Sequence, residues 1–279
     1  MTYSGYTLVH VAVEGLIVTA TIDNPPINII TLALYAELAR LAEEVNADPD
    51  PLVFVLKSAN PDFFIAHFDV SAILNFPIDK PAARTDSDDN AYHAMCERFR
   101  TMDKVTIAQI EGRVGGGGSE LAMSLDMRFG VIGKTIVNQM EVPLGIIPGG
   151  TGTQRLPRLI GRNRAIEVIL GGIDLDAETA ERWGYLNRAL AAADVGPYVE
   201  LLAKRIASFP QESVRLAKAA INSADKPLAE GLRDESYLFQ QLIRTDSGQR
   251  NMARFLEIGG QTREGELKVA DLSGRLGRA

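Results

Sequence analysis

The chain has 279 residues, room for one large domain or two small ones. Its 46% hydrophobic and 23% charged residues are ordinary globular composition and exclude a disordered chain, while the single cysteine, Cys96, excludes an intramolecular disulfide framework and a cysteine-rich zinc site. A formal net charge of −7 gives no support to nucleic-acid binding, and no apolar run reaches the ~18–20 residues of a membrane span. The first ten residues lack a basic stretch leading into an apolar one, so no signal peptide is expected and a cytoplasmic location is. His10, His67 and His93 share no metal-ligand spacing, and no metal is expected.

Leu8 to Val13 and Leu16 to Ile22 are rich in Val, Ile and Thr and predict two strands around a Glu14-Gly15 turn. Asn24-Pro25-Pro26 ends the second. From Thr31 the period becomes helical, with Leu34, Leu38, Leu41 and Val45 on one face and Thr31 as the cap. Asp48-Pro49-Asp50-Pro51 breaks that helix. Leu52 to Leu56 is an almost wholly apolar run, the mark of a strand buried on both faces, so the order strand, helix, strand predicts a parallel sheet. Residues 58–68 read as loop. Residues 77–90, with Asp86, Asp88 and Asp89, read as a solvated mobile segment. A helix over Ala91 to Met102, a second buried strand over Val105 to Ile110, a helix from about Ser119 and a strand over Met127 to Ile132 follow. After Pro148 the pattern is helical: residues 151–159, 162–170, 177–183, 198–208, 211–222, 228–244 and 248–258, with one short strand at 185–190. The glycine-rich tail from Gly259 is expected to order only in part, against another subunit.

Gly115 to Gly118 follow a strand and open a helix. A phosphate-binding loop would need a Lys after the glycines, and a dinucleotide fingerprint would put a third glycine where Glu120 stands. The spacing of a nucleophile elbow fails at Leu121. What remains is a backbone that approaches a ligand closely and offers main-chain N–H groups at a helix start, where developing negative charge is stabilised.

The run from Val105 to Gly112 into Gly116-Gly117-Gly118-Ser119-Glu120-Leu121-Ala122 and Asp126 resembles the signature of the crotonase (enoyl-CoA hydratase/isomerase) superfamily. Glu141-Val142-Pro143-Leu144-Gly145-Ile146-Ile147-Pro148-Gly149-Gly150 with Gly152 to Leu156 is a second matching block, and Phe64 to Val70 a weaker third. The resemblance implies an α/β fold, a spiral of ββα units with a helical C-terminal region, divided here as residues 1–205 and 206–279. It implies an acyl thioester of coenzyme A as substrate and no separate cofactor, the coenzyme A being part of the substrate. Glu120 and Glu141 match the two catalytic glutamates of hydratases, and Ala66 and Gly117 are expected to supply the two backbone donors of the oxyanion hole. Phe64, His67, Phe68, Asp69, Gly116, Gly118, Pro148 and Gly149 are expected to bind substrate. Assembly as a homotrimer or dimer of trimers is implied, with no nucleic acid or membrane as partner.

His67 and Phe68 stand where most relatives have small residues, and Glu111 and Arg113 replace an Asn and an aromatic. Glu111 and Arg113 are expected to pair, and Asp69 to cap the short helix after it. Two carboxyls are what hydration of a 2-enoyl thioester requires. A 3,2-enoyl-CoA isomerase, or a hydrolase or lyase acting on a cyclic or aromatic acyl group, remains open at this point, as does an acyl-CoA-binding or assembly protein that has lost turnover.

Overall fold

The structure is a computed structural model that describes residues 3–82, 84 and 90–277; the acidic run at Asp86, Asp88 and Asp89 lies outside the described residues. The alternating Val, Ile and Thr near the start pair as a hairpin of β1 (Val9–Glu14) and β2 (Ile17–Ile22). Gly15 closes it at φ 59°, a left-handed turn conformation open to glycine. Helix α1 (Leu32–Ala47) begins where Thr31 accepts from the Leu34 N–H, and it buries the expected stripe of Leu34, Leu38, Leu41 and Val45. β3 (Val53–Ser58) then pairs parallel with β2.

Residues 58–68, expected as loop, contain β4 (Phe63–Ile65), followed by the single turn α2 (Val70–Ile73). Next come α3 (Ala91–Thr101), β5 (Val105–Ile110) and the three-residue β6 (Arg113–Gly115). Helix α4 (Gly116–Met123) starts three residues before the expected Ser119, because the glycines themselves form its first turn. β7 (Met127–Val131) and β8 (Ile136–Asn138) precede α5 (Gly152–Ile160) and α6 (Arg162–Gly171). The two-residue β9 (Leu175–Asp176), α7 (Ala177–Trp183) and β10 (Arg188–Leu190) complete the α/β part.

Two sheets result. The larger runs β1-β2-β3-β5-β7-β10 and is parallel except for the opening hairpin. The smaller runs β4-β6-β8-β9. Phe54 and Leu56 of β3 face the main core with α1 and α3, while Val53 and Val55 join Ile107, Phe129 and Val131 on the other face. That second face is covered by Val195, Val199 and Ala203 of α8 (Val195–Ala207), so both faces are dry and the apolar run of β3 has its reason. Glu111 and Arg113 do not pair: Gln109 Nε2 donates to Glu111 at 2.5 Å, and Arg113 meets Asp174 at 2.7 Å.

α9 (Gln211–Asn222) is pinned to the core by Lys218, whose ammonium lies 2.8 Å from Asp126 and donates to the Lys104 carbonyl at 2.7 Å. α10 (Leu228–Leu242) and α11 (Asp246–Glu257) bury no residue of their own. The tail is helical here, as α12 (Arg263–Glu266) and α13 (Val269–Leu276), and α13 returns to α8 through an Arg205 hydrogen bond to the Ala270 carbonyl at 2.6 Å.

Candidate active site

β6 delivers the chain into α4, all eight of whose residues are buried. A Cβ on Gly118 would stand 2.5 Å from Ile65 Cγ2, so only glycine lets α4 lie this close to β4. Gly116, at φ 45°, faces the second carboxyl: a Cβ there would meet Glu141 Oε1 at 2.9 Å and His67 Cβ at 3.1 Å. The glycine run thus makes room for functional groups from two other segments.

Glu120 projects from α4 and is 3% exposed. Its Oε1 accepts from the N–H groups of Gly150 and Gly152, at 2.8 and 2.6 Å. Those donors flank Thr151 at the bend that opens α5, where Thr151 is held at φ 112°, a conformation rare outside glycine. Burial pushes the Glu120 carboxyl up to about 7; the Gly152 hydrogen bond opposes this, and the neighbouring Glu141 adds to it. Glu141 follows β8 and immediately precedes a 3-10 turn over Val142–Leu144 that contains Pro143. It is 8% exposed, and among the described residues its Oε2 has no hydrogen-bond partner. Burial also raises this carboxyl, against its own backbone hydrogen bond and the pull of His67.

Both carboxyls face one cavity of 560 Å³, whose walls include Leu32, Tyr35, Phe68, Tyr92, Met140 and Ile147. Gly117, His67 and Gly149 also reach it. Six of the expected site residues therefore converge: Glu120, Glu141, Gly117, His67, Phe68 and Gly149. Six others do not line it. Phe64 is wholly buried in the main core, a consequence of the strand β4 that the sequence did not reveal. Asp69 caps α2 by accepting from Ser71 N–H at 2.9 Å, Gly116 packs behind the wall against Glu141 and His67, and Gly118 packs on Ile65. Pro148 is buried against Gly152.

Ala66 is the sixth, and the structure does not leave its N–H free. That N–H donates to the Ile27 carbonyl at 3.3 Å, and Ala66 borders a separate 200 Å³ cavity. Phe68 differs. Its neighbours are held by Ile30, which donates to the His67 carbonyl at 2.8 Å and accepts from Asp69 N–H at 3.0 Å. In such a parallel bridge the N–H of the residue between points the other way. That side holds α4: a Cβ on Gly117 would lie 3.5 Å from Phe68 N. Among the described residues the Phe68 N–H has no acceptor. The Phe68 carbonyl is held by the His67 ring at 2.8 Å. Sequence reading also passed over Tyr92, an ordinary helix residue by pattern, and the Gly150 and Gly152 donors, which only folding brings to Glu120.

A carbonyl between the Phe68 and Gly117 N–H groups, beside two buried carboxyls, is an arrangement for stabilising an enolate and moving protons next to it. The sequence pattern of the Enoyl-CoA hydratase/isomerase family matches residues 13–264. A probable enoyl-CoA hydratase of Mycobacterium leprae is 32% identical over 239 residues, 85% of this chain and 90% of that protein. A crotonyl-CoA hydratase of Syntrophomonas wolfei is 31% identical over 226 residues, 79% and 84% of the two chains. The crystal structure of an enoyl-CoA hydratase from Bacillus anthracis superposes with a TM-score of 0.81 at 27% identity, covering 90% of this chain and 96% of that one. The chain is an enzyme of the enoyl-CoA hydratase/isomerase family, with the crotonase fold.

Proposed function

We propose that the enzyme adds water across the 2,3 double bond of a 2-enoyl-CoA thioester. The observation that carries this reading is that two buried carboxyls, both raised toward neutrality, face one largely apolar cavity beside the Gly117 backbone. The thioester carbonyl accepts from the Gly117 and Phe68 N–H groups, which draw electrons from the conjugated double bond and hold the enolate that forms. Water between Glu120 and Glu141 attacks the β-carbon. With one carboxyl protonated and the other ionised, the pair takes one proton from the water and gives one to the α-carbon, so its proton count ends as it began. Both carboxyls act in that cycle, whereas shifting a double bond can be done by one.

The reading calls for no cofactor beyond the coenzyme A on the substrate. We place residues 206–279 at the interfaces of a homotrimer or dimer of trimers, because α10 and α11 carry Leu232, Phe239, Met252 and Leu256 uncovered. No helix among the described residues is long and apolar enough to cross a membrane, and a cytoplasmic setting suits the lone buried thiol of Cys96. The test is the product formed from crotonyl-CoA. Appearance of 3-hydroxybutyryl-CoA with loss of the enoyl absorbance supports hydration, while a migrated double bond or an inert thioester overturns it.

A further inference from the structure

Helix α3 reaches both halves of the site with two successive residues of its first turn. Asn90 caps that turn, its Oδ1 accepting from the N–H groups of Tyr92 and His93 at 2.9 and 3.2 Å. Tyr92 points toward α4. Its hydroxyl donates to the Gly117 carbonyl at 2.6 Å and would lie 3.3 Å from a Cβ on Gly117. Its ring meets Phe68 edge-on, with centroids 5.9 Å apart, and stacks on Tyr35 at 6.1 Å. Tyr92 therefore touches both residues whose N–H groups would form the oxyanion hole. Burial holds its phenol well above the ordinary value, so it remains a donor.

His93 points toward the glycine bend. Its Nε2 lies 2.7 Å from the Gly149 carbonyl oxygen. That oxygen can only accept, so the proton sits on Nε2. The same peptide unit gives its N–H, that of Gly150, to Glu120. A peptide whose carbonyl accepts a hydrogen bond donates more strongly through its N–H. The imidazole thus reaches the carboxyl through one peptide plane, and His93 itself does not line the 560 Å³ cavity.

We propose that Tyr92 and His93 are positioning residues: side by side on one helical turn, Tyr92 sets the oxyanion donors and His93 sets the peptide that orients Glu120. Packing alone does not explain the pair. A phenylalanine at 92 would keep the contacts with Tyr35 and Phe68, and the hydroxyl adds only its bond to the Gly117 carbonyl. The inference rests on the hydratase reading, and its test separates the two. The wild type is first assayed for crotonyl-CoA hydration and for the red shift of a bound conjugated dienoyl-CoA, which reports how strongly the thioester carbonyl is polarised. Absence of both overturns the hydratase reading itself.

With both present, Tyr92→Phe should lower kcat about tenfold, the worth of one well-placed hydrogen bond, with KM within about twofold. It should also shrink the red shift. His93→Leu should lower kcat by a similar factor yet leave the red shift intact, and His93→Gln, which restores an N–H donor, should recover most of the loss. Melting temperatures should stay close to wild type. Tyr92→Phe with wild-type kcat and red shift overturns the tyrosine's role. His93→Gln as impaired as His93→Leu overturns the histidine's. Losses of kcat that track losses of melting temperature overturn both.

Discussion

Glu120 and Glu141 sit in the same cavity but are held differently. Glu120 is gripped by two backbone N–H groups, whereas Glu141 keeps an unpartnered oxygen. Glu120→Gln and Glu141→Gln should each lower hydration turnover by ~10²–10⁴, the contribution of a positioned acid or base. The double variant should lose less than the product of the two, because both groups serve one proton transfer. Steady-state rates with crotonyl-CoA check this, and thioester affinity should move far less, since the carbonyl donors are backbone groups. Stability should change in the opposite direction. Folding raises the Glu120 carboxyl from its ordinary 4.5 to about 7, so the folded state binds the extra proton in that window. Its contribution is most favourable below the unfolded value and is lost as pH rises through 7. Glu120→Gln removes the buried charge, and should melt higher than wild type at pH 8 by an amount worth on the order of 1–3 kcal/mol. The gain should fade toward pH 4; a variant that melts lower at pH 8 would contradict the assignment of burial as the dominant cause.

At the scale of elements, two contacts fix the site. The first is α4 against β4. Gly118→Ala would drive its new methyl into Ile65 Cγ2 and the Ile65 carbonyl, at 2.5 and 2.7 Å. Overpacking of this kind costs about 1–3 kcal/mol, which urea unfolding should report, and kcat should fall with it because Gly117 and Glu120 ride on the same helix. The second is α9 against the core. Lys218 is buried, and burial holds its ammonium below the ordinary lysine value although Asp126 opposes this. Asp126 in turn accepts from Thr106 N–H at 2.8 Å, tying the end of α4 to β5. Lys218→Ala leaves a carboxylate and the Lys104 carbonyl without this partner, and should cost about 3 kcal/mol in urea unfolding.

For the whole molecule, α10 and α11 expose apolar side chains on helices that bury none, which the chain alone does not explain. Sedimentation should give three copies or a multiple of three. Leu232→Asp with Phe239→Asp should shift the protein toward monomer, and a wild-type monomer at micromolar concentration would refute the assembly.

Long periodic segments were legible before folding. The α1 stripe, the buried runs of β3 and β5 and the C-terminal helices each span two or more turns or a full strand, so their period survives in the sequence. Two carboxyls and the Gly117 loop were legible by resemblance. The three-residue strands β4, β6 and β8 were not, since their pairing partners lie far along the chain and no period fits in three residues. The resemblance puts Phe64 at the substrate and a backbone donor at Ala66, whereas β4 carries Phe64 into the core and the Ala66 N–H donates to Ile27. In a regular strand the N–H groups of Ala66 and Phe68, two residues apart, would point the same way; they part here because Ala66 donates to Ile27 whereas Ile30 takes the N–H of Asp69, the residue after Phe68. The sequence by itself determined the α/β pattern, the two carboxyls of the matching blocks and the close approach at the glycines. Tertiary structure decided which N–H groups stay unpaired, what raises the carboxyls and which side chains hold the loops, because each depends on desolvation and on contacts between residues distant in the chain.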